Sequence, residues 1–407
     1  MKRNALLTLV CCLLMGVAAL VAAPRTALAI PYHATDSELV GTAYAVLNPT
    51  TGEFDFVRST ETHENKSTGT VKSISSGTYT GTIYTGFEDS NFSVGYPYDN
   101  VVPWHEIAKQ VLSVRFVDAV RPIGAEGWFR DFSNCTSMDL ARLDTSKVAS
   151  MYYMFSDCSA LTSLDVSHFD TSKVTNMTCM FDGCSSLTSL DVSSFDTSKV
   201  TSMTAMFEDC KSLTSLDLSS FDTSQVKYMW RMFCNCTALT SLDLSSFDTS
   251  QVTIMREMFE GCSSLASLNL SNFDTSQVTG MDRMFRDCSS LTTLDLSSFD
   301  TSKVTDMSVM FGYCDSLTSL DLSNFDTSKV TDMSWMFDDC TALTSLDVSS
   351  FDTSQVTDMS VMFRDCSSLT LLDVSGFDTS QVTKMNSMFN GCYSLNKITF
   401  GNKFVIN

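Results

Sequence analysis

The stretch Leu161-Thr162-Ser163-Leu164-Asp165-Val166-Ser167-His168-Phe169-Asp170-Thr171-Ser172-Lys173-Val174-Thr175-Asn176-Met177-Thr178-Cys179-Met180-Phe181-Asp182-Gly183-Cys184 begins again, nearly unchanged, at Leu187. Phe-Asp-Thr-Ser recurs at Phe169, Phe195, Phe221, Phe247, Phe273, Phe299, Phe325, Phe351 and Phe377, always 26 residues on. Leu143-Asp144-Thr145-Ser146 is a tenth copy with Leu in the Phe slot, and Met-Phe recurs on the same step from Met154-Phe155 to Met388-Phe389. A unit this short cannot close a core alone, so its apolar slots must be buried between neighbours. The expected fold class is a repeat solenoid: a leucine-rich-repeat-like right-handed stack with parallel β-strands, preceded by a small β-rich N-terminal segment. At ~4.8 Å per stacked strand, ten units make a rod or arc of roughly 45–50 Å.

The apolar slots say how one unit is built. Leu164-Asp165-Val166-Ser167 alternates apolar and polar, the pattern of a strand with one buried face. Asp170-Thr171-Ser172 reads as a turn in which the Asp side chain accepts the N–H two residues on. Val174, Met177, Met180 and Phe181 re-enter the core on the return side, as a short helical or irregular turn or as a second strand. Apart from Met1, Met15 and Met138, every methionine occupies a repeat slot, where a flexible thioether serves as core filler.

The ends differ in texture. Residues 1–29 carry Lys2 and Arg3, an apolar run from Ala5 to Ala23, and Ala27-Leu28-Ala29. This is a signal-peptide layout with cleavage after Ala29; an uncleaved membrane anchor is the alternative. The whole chain has 26 basic and 47 acidic residues. Lys2, Arg3 and Arg25 are the charged residues of the leader, so the mature chain is more acidic still. Such a surface disfavours nucleic acid, and no second apolar run is long enough to span a membrane. Residues 30–103 form the expected β-rich segment, with a hairpin from Ala43–Leu47 through Asn48–Gly52 to Phe54–Val57. Its Thr/Ser/Gly-rich part, 59–86, reads as loosely packed with a strand near Gly81–Tyr84. Residues 104–135 are expected to cap the array, 136–396 to form about ten units, and 397–407, with Lys403-Phe404-Val405-Ile406, to supply a closing strand.

Thirteen cysteines follow the leader, an odd number that cannot all pair within one chain. Eleven, Cys135 and then Cys158 to Cys392, are assigned to one repeat position. In-register neighbours have poor geometry for a disulfide, so a reduced, buried column is expected. The aspartates at 165, 191, 217, 243, 295, 321, 347 and 373 form an outward column interrupted by Asn269. Their mutual repulsion, about 0.8 kcal/mol per pair at ~5 Å in water, must be offset by Ser and Thr hydrogen bonds, by Lys, or by cations, calcium being the candidate ion. No other cofactor is expected.

The motifs Leu-Thr-Ser-Leu-Asp-Leu, Phe-Asp-Thr-Ser, Val-Thr-x-Met and Met-Phe-x-x-Cys resemble the BspA-like leucine-rich repeat surface proteins with repeats of about this length, from about residue 104 onward. Trp104 to Cys135 looks like that family's entry to the array. Val114-Arg115-Phe116 would be a degenerate first strand, Trp128 would take the first Met slot and Phe132 the Phe slot, leaving the next unit, Cys135 to Cys158, three residues short. The resemblance implies a bacterial cell-surface or secreted protein that adheres to host, matrix or other extracellular proteins. Family members often continue into anchoring modules; none is visible here, which points to a fragment or a freely secreted form.

Catalysis is not expected. The four histidines, His33, His63, His105 and His168, join no nucleophile motif, and there is no G-x-S-x-G, H-E-x-x-H or phosphate loop. The units differ most between their paired methionines: Tyr152-Tyr153, Thr178-Cys179, Thr204-Ala205, Trp230-Arg231, Arg256-Glu257, Asp282-Arg283, Ser308-Val309 and Ser334-Trp335. If exposed, this stripe offers the aromatic and Arg side chains enriched at interfaces. The partner-binding candidates are Tyr152, Tyr153, Trp230, Arg231, Arg256, Arg283 and Trp335. Drift at unconstrained surface sites is the competing reading. An extracellular carbohydrate-binding array, using the same aromatics, is the alternative function.

Overall fold

The computed structural model describes residues 30–90 and 102–405; the expected leader and Ile406 lie outside them. The expected hairpin forms from β1 (Thr42–Leu47) and β2 (Glu53–Ser59), paired antiparallel. Asn48 Oδ1 accepts the Thr50 and Thr51 N–H groups in its turn. Gly52 closes the turn at φ +71°, where a Cβ would lie 2.6 Å from the Leu112 side chain. The segment expected to be loosely packed instead forms regular strands: β3 (Ser67–Lys72) and β4 (Thr78–Thr85) pair with each other, and β4 pairs with β1. Its Thr and Tyr residues suit a pleated surface. Val71 and Ile83 pack with Tyr44, Val46 and Val57 in a small cluster on the outer face, a second core the composition concealed.

The sheet runs on into the repeats in the order β3-β4-β1-β2-β5-β6, with β5 (Ser113–Phe116) parallel to β2 and β6 (Ser137–Asp139) parallel to β5. One core extends from Ala43 to Met388. The N-terminal segment is therefore the first layer of the stack. A 3-10 helix, His105–Gln110, follows Trp104, whose indole Nε1 donates to the Trp128 carbonyl at 2.7 Å.

The entry register differs from expectation by one slot. The Phe129 N–H donates to Met154 O, as Phe155 N–H does to Met180 O one unit later. The Cys158 thiol donates to Phe129 O, as Cys184 does to Phe155 O. Phe129 thus fills the Phe slot, stacked on Phe155 with ring centroids 5.4 Å apart. Trp128 takes the second Met slot and Ala125 the first; Phe132 takes the Cys slot and Cys135 the next Leu slot. The interval from Phe132 to Cys158 is a full 26 residues, so no unit is short, and the Cys column begins at Cys158. Side-chain size misled the reading, because three aromatics in this short entry stretch fit the pattern in more than one frame.

In the array, backbone pairing is strongest on the return side. Parallel bridges link Ser150, Asn176, Ser202, Tyr228, Ile254, Gly280, Asp306, Asp332, Asp358 and Lys384. On the leucine side, the alternating burial expected of Leu164-Asp165-Val166 is present. Regular strand pairing there is confined to short stretches: β7 (Ser267–Leu268) with β8 (Thr293–Leu294), and β9 (Leu371–Val374) with β10 (Lys397–Phe400). The closing strand is β10, and 403–405 form none. Lys403–Val405 is irregular, and Phe400 and Val405 remain about half exposed.

Polar columns stitch the units together. Asp170 Oδ1 accepts the Ser172 N–H at 3.0 Å, the expected turn. Thr171 does more: its buried hydroxyl accepts the Asp196 N–H at 2.7 Å and donates to the Asp196 carbonyl at 3.0 Å. The same clamp joins Thr249 to Asp274, and Val405 takes the Asp place for Thr379. His168 and its counterparts Ser246 and Asn272 bond the Leu carbonyl of the preceding unit. Column thiols donate to a Phe carbonyl one unit back, so cysteine supplies a donor as well as volume, and burial holds their pKa values above the usual range. The Phe rings from Phe155 to Phe389 stack at 5.6–5.9 Å, within 8° of parallel.

The clamp makes a direct prediction. Thr249→Val keeps the shape but leaves two backbone groups of Asp274 without their partner, a loss of about 2 kcal/mol. Urea unfolding should show a lower midpoint for Thr249→Val and a nearly unchanged one for Thr249→Ser, which retains the hydroxyl.

Candidate interaction face

The face that differs between units is built on a backbone with little freedom. Within each unit, Met180 N–H returns to Met177 O and Cys184 N–H to Phe181 O, closing successive tight turns. Between these turns the N–H groups of Met177, Cys179, Phe181 and Gly183 donate to Ser202, Thr204, Met206 and Glu208 of the next unit at 2.9–3.1 Å. The geometry needs two left-handed residues per unit, the one before the second Met and the one before Cys. Cys179, Arg231, Glu257, Val309 and Trp335 hold the first at φ +54° to +61°. The second is held by Gly183, Asp209, Asn235 and Gly261, types that tolerate this conformation. The return side is thus neither a helix nor a regular strand.

This backbone puts two dipeptides per unit on one face: the pair between the methionines and the pair between Phe and Cys. The second pair went unremarked in the sequence, although it varies as freely: Asp182-Gly183, Glu208-Asp209, Cys234-Asn235, Glu260-Gly261, Arg286-Asp287, Asp338-Asp339 and Arg364-Asp365.

The stripe is less exposed than expected. Trp230 is 41 % exposed and Arg256 is exposed, but Tyr152, Tyr153, Arg231, Arg283 and Trp335 are half-buried. Cys179, Ala205, Glu257 and Asp282 are buried. Stacking causes this, because side chains of adjacent units lie against one another and pair. Arg231 bridges Glu208 at 3.0 Å and Glu257 at 2.5 Å. Arg283 reaches Glu257 and Asp282, each at 3.6 Å, and Arg256 forms an ion pair with Asp282 at 2.8 Å. Arg286 joins Glu260 at 2.9 Å and Asp287 at 3.2 Å. Arg364 chelates Asp338 and lies over the Trp335 ring. Arg130 covers Tyr153 in the same way, 4.5 Å from its centroid, and Arg231 lies by Trp230. Tyr228, in the bridge column two residues before Trp230, is 45 % exposed and extends the aromatic patch; it was also overlooked.

Toward the N-terminal end the face turns acidic. Asp157, Asp182, Glu208 and Asp209 repel one another across neighbouring units. Burial, then Glu208, Asp157 and Asp209, push the Asp182 carboxyl up to about 7. The outward column of the leucine side behaves oppositely. Asp165 Oδ1 accepts both the hydroxyl and the N–H of Ser167, which hold it below the usual carboxylate range, and the column repeats the N–H bond at Asp217, Asp243 and Asp295. This column too has a local turn role, with a serine N–H donating to the carboxylate two residues before it. An open cleft of about 290 Å³ lies at the start of the array, between β2, β5 and β6, with Asp55 and Arg115 paired in it at 2.9 Å.

The raised Asp182 pKa fixes a sign. A carboxyl whose folded pKa lies above its unfolded value favours folding most at low pH, and that contribution is lost as pH rises through about 7. Asp182→Asn should therefore match the unaltered chain near pH 4 and become more stable above pH 7, by about 2 kcal/mol once partial exposure is discounted. Urea midpoints measured across this range would check it; a constant offset would contradict the assignment.

A comparison with curated proteins finds no match. Among solved structures, the chain is similar to a leucine-rich repeat protein from Eubacterium ventriosum ATCC 27560, with 16 % identity and a TM-score of 0.40, covering 87 % of this chain and 94 % of that one. It is also similar to the chain in a TLR13–ssRNA13 complex, with 14 % identity and a TM-score of 0.18, covering 74 % and 52 %. Both likenesses are distant, and the architecture rests on the hydrogen bonding above. The family model described as "Mycoplasma protein of unknown function, DUF285" matches residues 125–242, 231–320 and 314–403. These matches span well over half of the chain and nearly the whole array, so the protein belongs to that family.

Proposed function

We propose that this chain is a secreted or cell-surface bacterial protein, a right-handed solenoid of the BspA-like 26-residue subgroup, whose non-catalytic role is to bind host, matrix or other extracellular proteins. The observation that carries the reading is the division of labour within the unit. The buried columns scarcely change, while the two variable dipeptides of every unit gather on one face and include Trp230, Arg231 and Arg256, which with Tyr228 form an aromatic and basic patch. Aromatic and Arg side chains supply most of the energy at protein interfaces. The ion pairs hold the Arg side chains in place before a partner arrives, which lowers the entropic cost of ordering them. Export rests on the basic, apolar and Ala-x-Ala pattern of residues 1–29. Among the described residues no helix is long and apolar enough to cross a membrane.

A pull-down against extracellular matrix proteins, run beside a glycan array, tests the proposal. Replacing Trp230, Arg231 and Trp335 together by Ala should weaken protein binding at least tenfold, about 1.4 kcal/mol, with circular dichroism confirming the fold. Unchanged binding would remove the stripe from consideration. Binding confined to the glycan array would favour carbohydrate as the ligand.

A further inference from the structure

Cys234, like Cys179, lies outside the cysteine column of the array. The column slot of its unit belongs to Cys236, and Cys234 lies where the two adjacent units carry Glu208 and Glu260. It is 2 % exposed, yet among the described residues its thiol makes no hydrogen bond, whereas Cys236 and Cys262 each donate to a Phe carbonyl. What it faces is a pair of carboxylates. Its Sγ and one oxygen each from Glu257 and Glu260 lie within 4.8 Å of one another. Glu257 is buried, and Glu260 Oε2 is shielded from solvent without a hydrogen-bond partner. An unpaired thiol and an unpaired carboxylate oxygen thus meet in one enclosed place.

We propose that Cys234, Glu257 and Glu260 bind a divalent metal ion of borderline softness, zinc being the natural occupant. A thiolate ligand disfavours calcium and magnesium, which take oxygen donors, whereas one sulfur with two carboxylates suits zinc. Zinc–sulfur and zinc–oxygen bonds of about 2.3 and 2.1 Å place tetrahedral ligand atoms about 3.5 Å apart, so the three side chains close by roughly an ångström, and a fourth position stays open. On binding, the Cys234 S–H bond breaks, its proton leaves to solvent and the sulfur–metal bond forms; nothing is oxidised or reduced.

The surroundings agree with this charge change. The ion-paired group described above sets four arginines against five carboxylates, one negative charge in excess when all are ionised. A divalent ion that replaces one thiol proton adds a single positive charge and leaves the group neutral. Arg231 and Arg283 approach Glu257, and Arg286 holds Oε1 of Glu260, so the guanidinium groups orient the carboxylates and Oε2 of Glu260 is left for the ion.

The test uses the full chain, reduced and freed of metal with a chelator, and titrated with cobalt(II) and then zinc(II). The expected result is one cobalt per chain with a thiolate-to-metal charge-transfer band in the near ultraviolet, displaced by zinc. Cys234→Ser should abolish the band and weaken zinc at least ~10-fold, while Cys179→Ser, on the same face two units earlier, leaves both unchanged. Absence of the band in the unaltered chain, or its survival in Cys234→Ser, overturns the proposal. Should Cys234→Ser fail to fold, Glu260→Gln serves instead: zinc binding weakened at least ~10-fold supports the site, and unchanged binding overturns it.

Discussion

On the Met-x-x-Met-Phe-x-x-Cys side of each unit, alternate backbone N–H groups point out of the unit and find their acceptors only in the next one. Met177, Cys179, Phe181 and Gly183 give theirs to the unit containing Ser202 to Glu208, and the pattern repeats along the stack. A buried N–H without a partner is costly, so a unit of this kind cannot stand alone. The stack therefore has a direction. At the N-terminal end, where a preceding unit would otherwise lie, Trp104 donates its indole N–H to the Trp128 carbonyl.

Other features follow from this ladder. Once it fixes neighbouring units in register, identical side chains must lie over one another. That favours groups which pack or bond well with their own kind one step away: phenylalanine rings offset in a stack, a thiol beneath a carbonyl, a threonine hydroxyl between two backbone groups. The aspartate columns meet the same condition by bonding within the unit, each accepting a serine N–H two residues on. Like charges are tolerable there because every carboxylate brings its own donors.

The ladder also accounts for the face where units disagree. Its tight turns require left-handed residues and direct the two intervening dipeptides outward, where no apolar column constrains them. The choices there are nevertheless correlated between units. Arg231 sits between Glu208 and Glu257, and Arg364 over Asp338 and Trp335, because a side chain at this position meets its counterpart one unit away before it meets solvent. The variable face is therefore a surface whose side chains are ordered by pairing between neighbouring units.

Periodicity was enough to identify a stack of 26-residue units and to name most of its buried columns, because burial between identical neighbours leaves an apolar pattern with the same period, and two strand-like runs around a turn were enough to place the N-terminal hairpin. The aspartate turn at Asp170 was legible for the same local reason. Three things were not. The entry register was misread at Phe129 and Phe132 because aromatic size does not specify a slot, whereas the hydrogen bonds from Phe129 and Cys158 do. The order of residues 59–86 was hidden because pairing across a sheet leaves little trace in a Thr/Ser-rich segment. The burial of Glu257 and Asp282, and the meeting of Cys234 with two glutamates from the next unit, depend on contacts between residues a whole unit apart. Composition can show that such residues vary; only stacking the units brings them within reach of one another, and with that proximity come their ion pairs, their burial and their chemistry.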